Sequence, residues 1–167
     1  MQNIHCRIIY RSTPDELLNY FNTHNLDFNK PINIEEWIGE TLLPSILYAF
    51  RIKIDRLDYY KRFIEAGADV NVKGVNCYEE TLFEYALDNN KEDVLELFLP
   101  HFKLKYNKDI MYSAYLCLKN REYHTPKFIR LVEDLISKFD KKKWIKKMKQ
   151  FQTDLRYTAK TSAEYPD

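Results

Sequence analysis

The sequence predicts an all-α protein, a solenoid of stacked helix pairs, and two observations carry that prediction. Apolar residues recur at helical spacing in segment after segment, as Leu57, Tyr60, Phe63 and Ile64 do within one short run. The four residues after Asn25, Leu26-Asp27-Phe28-Asn29, are echoed after Gly67 by Ala68-Asp69-Val70-Asn71. The same turn following two amphipathic segments points to a repeating unit.

In chain order, Ile4, Ile8 and Ile9 suit an N-terminal cap over the first apolar face. Residues 12–16 read S-T-P-D-E, a Thr N-cap with Pro at the first helical position and Glu three residues after the cap, so a helix starts there. Leu17, Leu18 and Phe21 form its apolar face, and Asn25 can take the left-handed conformation that ends it. Lys30 to Glu40, with Pro31 and Trp37, reads as an ordered insertion packing back onto the helices. A helix from about Pro44 through Phe50 pairs with one over about Arg56 to Ala66. Gly67 closes the second, reaching the left-handed region without steric cost. A further pair occupies Thr81 to Leu99 and is stopped by Pro100. Asp109 to Asn120 and Thr125 to Phe139 form another, its second helix again opened by Thr-Pro. Lys141 to Leu155 places Trp144, Ile145, Met148, Phe151 and Leu155 on one side and lysines on the other, the pattern of a C-terminal capping helix. Residues 156–167 lack apolar periodicity and are expected to be mobile.

The stretch Phe63 to Asn71, F-I-E-A-G-A-D-V-N, resembles the most diagnostic part of the ankyrin repeat, where the second helix ends and a hairpin finger begins. Thr81 to Leu99 resembles the family pattern T-P-L-H-x-A, a tight turn, paired aliphatics and an aliphatic triplet. Thr81 matches the Thr, Ala86 the small residue at a close helix approach, Asn90 the turn Gly, Val94 and Leu95 the pair, and Leu97-Phe98-Leu99 the triplet. Leu82 and Glu84 stand where the family has Pro and His. The resemblance implies an ankyrin-like helical-repeat solenoid of about three to four irregular repeats, with short hairpin fingers and helical caps. It would form one domain over residues 1–155, with Lys30 to Glu40 as the insertion, 141–155 as the capping helix and 156–167 as the tail. It also implies a non-enzymatic module that binds one protein partner through its concave face and fingers, by occlusion, inhibition or scaffolding, as a monomer or weak oligomer. By fold and size the chain resembles ankyrin-type immunity proteins that neutralise bacterial toxins, and also host-directed ankyrin proteins of viruses and intracellular bacteria.

Composition narrows the alternatives. Three glycines and 15% aromatics describe a helix-friendly, Tyr-rich chain, and Gly39, Gly67 and Gly74 lie too far apart for a dinucleotide or P-loop cradle. A net charge of +1 leaves no global field drawing the protein to nucleic acid or membrane. Cys6, Cys77 and Cys117 are odd in number and widely spaced, which fits a reducing compartment and neither a disulfide framework nor a zinc site. No run approaches the apolar length of a signal peptide or membrane span, so a cytoplasmic protein is expected. Cofactors and metals are expected to be none.

Candidate partner-binding residues are Lys73, Val75, Asn76 and Tyr78 on the finger and Glu80, Glu84, Asp88 and Asn89 on the following helix. Glu80, Glu84 and Asp88 recur every four residues and set three carboxylates along one face. Glu92, Asp93 and Glu96 follow, and between Glu79 and Glu96 only Lys91 is basic, a local negative field that could steer a basic partner. The alternative is a solvated helix face. Lys142, Lys143, Lys146 and Lys147, within the only basic cluster, form an alternative anionic-ligand patch for nucleic acid or an anionic surface; a capping helix with a lysine-rich outer face explains the same pattern. Cys117 and His124 are the nearest approach to a nucleophile and base, and buried helical Cys is usually core. No enzyme is predicted.

Overall fold

A computed structural model describes residues 2–36, 39–51, 56–72, 80–103 and 107–164, and only the backbone of 36, 39–41 and 154–164 among these. It is mostly helical with a small three-stranded sheet. The order is β1 (Gln2–His5), α1 (Cys6–Arg11), α2 (Pro14–Thr23), β2 (Ile32–Glu36), β3 (Gly39–Leu43), α3 (Ile46–Ala49), α4 (Leu57–Glu65), α5 (Leu82–Asp88), α6 (Glu92–Phe98), α7 (Lys108–Lys119), α8 (Pro126–Ser137) and α9 (Lys141–Glu164).

The mostly helical fold is as expected, and the small sheet is an addition to it. β1 pairs with β2 in parallel, Ile4 opposite Ile34, and β2 pairs with β3 antiparallel, Ile32 opposite Leu43. Lys30 to Glu40 thus supplies β2 and the start of β3. Ile4 lies in a strand, and Ile4, Ile32, Ile34 and Leu43 are all buried. Trp37 lies outside the described residues. The last helix also differs, running to Glu164 where the apolar pattern predicts an end near Leu155.

Helix starts follow the caps. The Thr13 amide donates to Glu16 Oε2 at 2.7 Å and the Glu16 amide to Thr13 Oγ1 at 3.3 Å. Thr81 and Glu84 repeat this box at 2.7 and 3.1 Å, satisfying amides that a helix start leaves without intrahelical partners. Thr125 Oγ1 accepts from the Phe128 amide at 3.0 Å. The helix ends repeat too. Asn25 and Asn90 have φ 52° and Gly67 has φ 104°. After each, an amide returns to the carbonyl five residues back: Leu26 to Phe21, Ala68 to Phe63 and Lys91 to Ala86, at 2.9, 2.9 and 2.8 Å.

Packing runs along two rows. In one, α2 meets α4, α4 meets α6 and α6 meets α8; in the other, α5 meets α7 and α7 meets α9. Helices α5 and α6, and α7 and α8, pair across the rows. Ring contacts thread the shared core, from Phe21 and Phe63 (5.6 Å between centroids) through Phe50, Tyr60, Phe98 and Phe83 to Phe102, Phe139 and Trp144. Most of these pairs are edge-to-face, the arrangement in which ring quadrupoles attract.

Two asparagines join successive turns. Asn29 Nδ2 donates to the Gly67 carbonyl at 3.3 Å and its Oδ1 accepts from the Asp69 amide at 2.6 Å. Asn71 does the same one unit on, donating to the His101 carbonyl at 2.9 Å and accepting from the Lys103 amide at 2.9 Å. Asp27 and Asp69 each brace the turn by accepting from the amide two residues later, at 2.9 Å.

Candidate functional site

Around the start of α5, side chains expected to face a partner are partly held inside the protein. Arg51 Nη2 lies 2.6 Å from Glu80 Oε2, and its guanidinium sits over the Tyr85 ring at 4.8 Å. Burial raises the Glu80 pKa above the ordinary carboxylate value; Arg51 opposes the rise and the nearby Asp88 and Glu84 add to it. The buried Tyr48 hydroxyl lies 3.1 Å from the carbonyl oxygens of Val72 and Glu80 and donates to this pair. It therefore ties together the two points where the chain enters and leaves 73–79. Burial pushes the Tyr48 hydroxyl pKa well up, so it stays a neutral donor.

The predicted acidic stripe is not a set of equivalent free carboxylates. Glu84 is the return half of the Thr81 capping box, which holds it at the helix start. Glu80 is engaged by Arg51, while Asp88 and Asn89 are exposed, the Asn89 side chain donating to the Tyr85 carbonyl at 3.0 Å. Lys73, Val75, Asn76 and Tyr78 lie outside the described residues.

The second acidic group meets a cation from another helix. Lys127 of α8 lies 3.3 Å from Glu92, 3.9 Å from Asp93 and 2.8 Å from Glu96. The Thr125 hydroxyl donates to Glu92, the main reason its pKa falls below the ordinary value, with Lys127 contributing. The negative field expected from counting charges along residues 79–96 is thus offset by Arg51 and Lys127, both outside that window. Local counting misses them because helix stacking brings them in.

Tyr112 was not among the predicted site residues. It is 39% exposed on α7, with its ring 5.0 Å from that of Phe151. The available signal was its place opposite Ile110, Ala114 and Cys117, which face the core. Helices α5 and α7 pack side by side, with Asp88 exposed on the first and Tyr112 on the second.

Cys117 and His124 engage different partners. The thiol is buried, donates to the Leu87 carbonyl at 3.8 Å, and is pushed up to about 11 by burial first and Asp88 second, the opposite of an activated nucleophile. His124 Nδ1 lies 3.2 Å from Asn90 Oδ1, and its ring packs on Phe128. Among the described residues no three His, Cys, Asp or Glu side chains are grouped as metal ligands. A concavity of about 460 Å³ lies among the starts of α4, α6 and α8, lined by residues including Leu57, Tyr60, Asn90 and Thr125. The Glu92 on its wall is already bound by Thr125 and Lys127.

On α9, Lys142, Lys143 and Lys146 are exposed and Lys147 is half-buried, its Nζ 2.9 Å from Gln150 Oε1. Ile145, expected on the apolar side, is 47% exposed. No helix among the described residues is long and apolar enough to cross a membrane. Comparisons with protein-family models, curated proteins and solved structures find no match.

Proposed function

We propose that this chain is an ankyrin-like helical-repeat module that binds one protein partner, without catalysis, through the surface of α5 and α7 and the segment between Val72 and Glu80. The observation that carries the reading is the pair of asparagine bridges, Asn29 to Gly67 and Asp69, then Asn71 to His101 and Lys103, the same device used at successive joints. Two rows of neighbour-packed helices and three left-handed helix ends support it further. Such stacks present extended surfaces and work by what those surfaces display. Here Asp88 and Tyr112 are displayed, while Glu80 and Glu84 hold the fold. Tyr112 offers large contact area at low rotamer cost and Asp88 a charge to steer a basic patch, which suits occlusion of a partner's working surface.

The test is affinity capture from extract of the source cells with mass spectrometry, comparing wild type with Asp88→Lys/Tyr112→Ala shown to melt at the same temperature. One protein enriched by wild type and lost by the double variant supports the reading. Equal capture by both, or none above background, removes it. Glu84 is excluded from the variant because its loss would open the α5 cap.

A further inference from the structure

We propose that the outward lysines of α9 bind the phosphate backbone of double-stranded nucleic acid without reading its sequence. From Lys141 to Lys149 the helix carries six lysines, and from Lys141 through Thr153 it has no acidic residue. Lys142, Lys146 and Lys149 fall four and three residues apart, so they lie on one exposed face over about 10 Å at 1.5 Å per residue. Beside them Lys143, Lys146, Lys147 and Gln150 line a shallow concavity of about 430 Å³.

This cluster is held, but not neutralised. Among the described residues Lys141, Lys142, Lys146 and Lys149 have no carboxylate partner within 4 Å; Lys61, Lys108, Lys119 and Lys138 share that state but stand apart from one another, whereas these four fall together on one helix. Lys141, Lys142 and Lys143 also stand in the first turn of α9, the positive end of its dipole, where cations are disfavoured; the Asp140 carboxylate accepts from the Lys143 amide at 2.9 Å. An arrangement that costs energy in the free protein is relieved by a polyanion.

The opposite face of α9 fixes the stripe outward. Phe151 lies 5.0 and 5.9 Å from the rings of Tyr112 and Tyr115, and Trp144 stacks on Phe139 at 5.5 Å. With that apolar face packed, Ile145 is the one large apolar side chain exposed beside the lysines, too little to anchor the helix in a bilayer, which favours a nucleic acid over a membrane surface. Between Lys141 and Thr153 the helix carries no Arg, and its aromatic rings, Trp144 and Phe151, are packed against the rings of Phe139 and Tyr112 rather than open for stacking single-stranded bases, which favours a duplex bound through its phosphates.

The test is fluorescence anisotropy of the full chain with two labelled 20-base-pair DNA duplexes of unrelated sequence, at 50 and 200 mM salt. Four neutralised phosphates give a log–log salt slope of about −3.6, hence roughly a hundredfold weaker binding at the higher salt, for both sequences alike. Lys142→Gln/Lys146→Gln/Lys149→Gln, with helix content checked by circular dichroism, should flatten the slope to about −1 and weaken binding at least tenfold at 50 mM salt. Lys146→Ala alone should reduce the slope by about 1, so the test survives if the triple variant misfolds. Absence of binding at 50 mM salt, an unchanged slope in the variants, or tighter binding to phosphatidylserine vesicles or polyglutamate than to duplex would overturn the proposal.

Discussion

Ile34 in β2 and Ile145 in α9 are the same residue under opposite conditions. Ile34 is fully buried between paired strands, while Ile145 stands 47% exposed on a helix that packs through its other face. The N-terminal part of the chain is held by partners distant in sequence: β1 on β2, Asn29 on Gly67 and Asp69, Asp15 on Arg62. The C-terminal part is built from neighbours, α7 with α8 and α9. Long-range pairing gives a dry interior and leaves little apolar surface; neighbour packing leaves one helix face open for other use.

The largest expected effect tests that contrast directly. Ile34→Ala should cost about 2 to 5 kcal/mol, the range for deleting a buried aliphatic side chain, and Ile145→Ala should fall within about 0.5 kcal/mol of wild type. Urea unfolding of both variants checks this. Similar losses would mean that the two regions are equally buried and would erase the distinction.

Next come the helix ends. Gly67 has φ 104° and open space where a Cβ would stand, so Gly67→Val pays for backbone strain alone, about 1 to 2 kcal/mol. Asn90→Gly, at φ 52°, keeps the backbone conformation and loses only the exposed contact of its side chain with His124, so it should cost less, about 0.5 kcal/mol. Thermal melting separates them. A neutral Gly67→Val would show that the joint between α4 and the following turn adapts freely.

These elements also show what the sequence made legible. Thr13-Pro14, Thr81, Thr125-Pro126 and the left-handed Asn25, Gly67 and Asn90 are local signals, since a cap or turn depends on residues within a few positions. The sheet was not legible. β1 offers one buried residue, Ile4, and β2 alternates Ile32-Asn33-Ile34 with all three buried, too short a run to separate from a loop. Their parallel pairing spans about thirty residues, Gln2 to Ile32, and no local pattern encodes it. The site was half legible for the same reason: Asp88 could be read from α5, but Arg51 and Lys127 reach their carboxylates only after stacking.

The asparagine bridges carry a smaller effect that compares the two joints. Asn29→Ala and Asn71→Ala each remove a donor and an acceptor at a partly exposed junction, costing about 1 kcal/mol apiece. Chemical denaturation of the single and double variants should give non-additive losses, because both side chains bond Asp69: Asn29 accepts from its amide, and Asn71 Nδ2 donates to its carboxylate at 2.6 Å. A loss at one joint only would show that the turns are alike in geometry but not in energy.

The smallest expected effect is on pH dependence, where two carboxylates at opposite sides of 73–79 should pull in opposite directions. Burial works to raise Asp69, but the Asn71 side chain and amide, Lys103 and His101 outweigh it and hold its pKa below the ordinary value. The unfolded chain therefore binds that proton more readily, and Asp69 contributes stability that is present above its unfolded pKa and lost as pH falls through the folded one. Glu80 is raised by burial, so the folded protein holds its proton more tightly, and its contribution falls as pH rises from the unfolded value through the folded one. Both groups retain solvent contact, which keeps each contribution small. Asp69→Asn should flatten the rise of stability with pH on the acid side, and Glu80→Gln should steepen it over the window just above the ordinary Glu value. Urea midpoints measured from pH 3 to 7 read both slopes. If Glu80→Gln left the profile unchanged, Arg51 would be compensating the burial of Glu80 in full, and the base of α5 would be electrostatically neutral toward any partner.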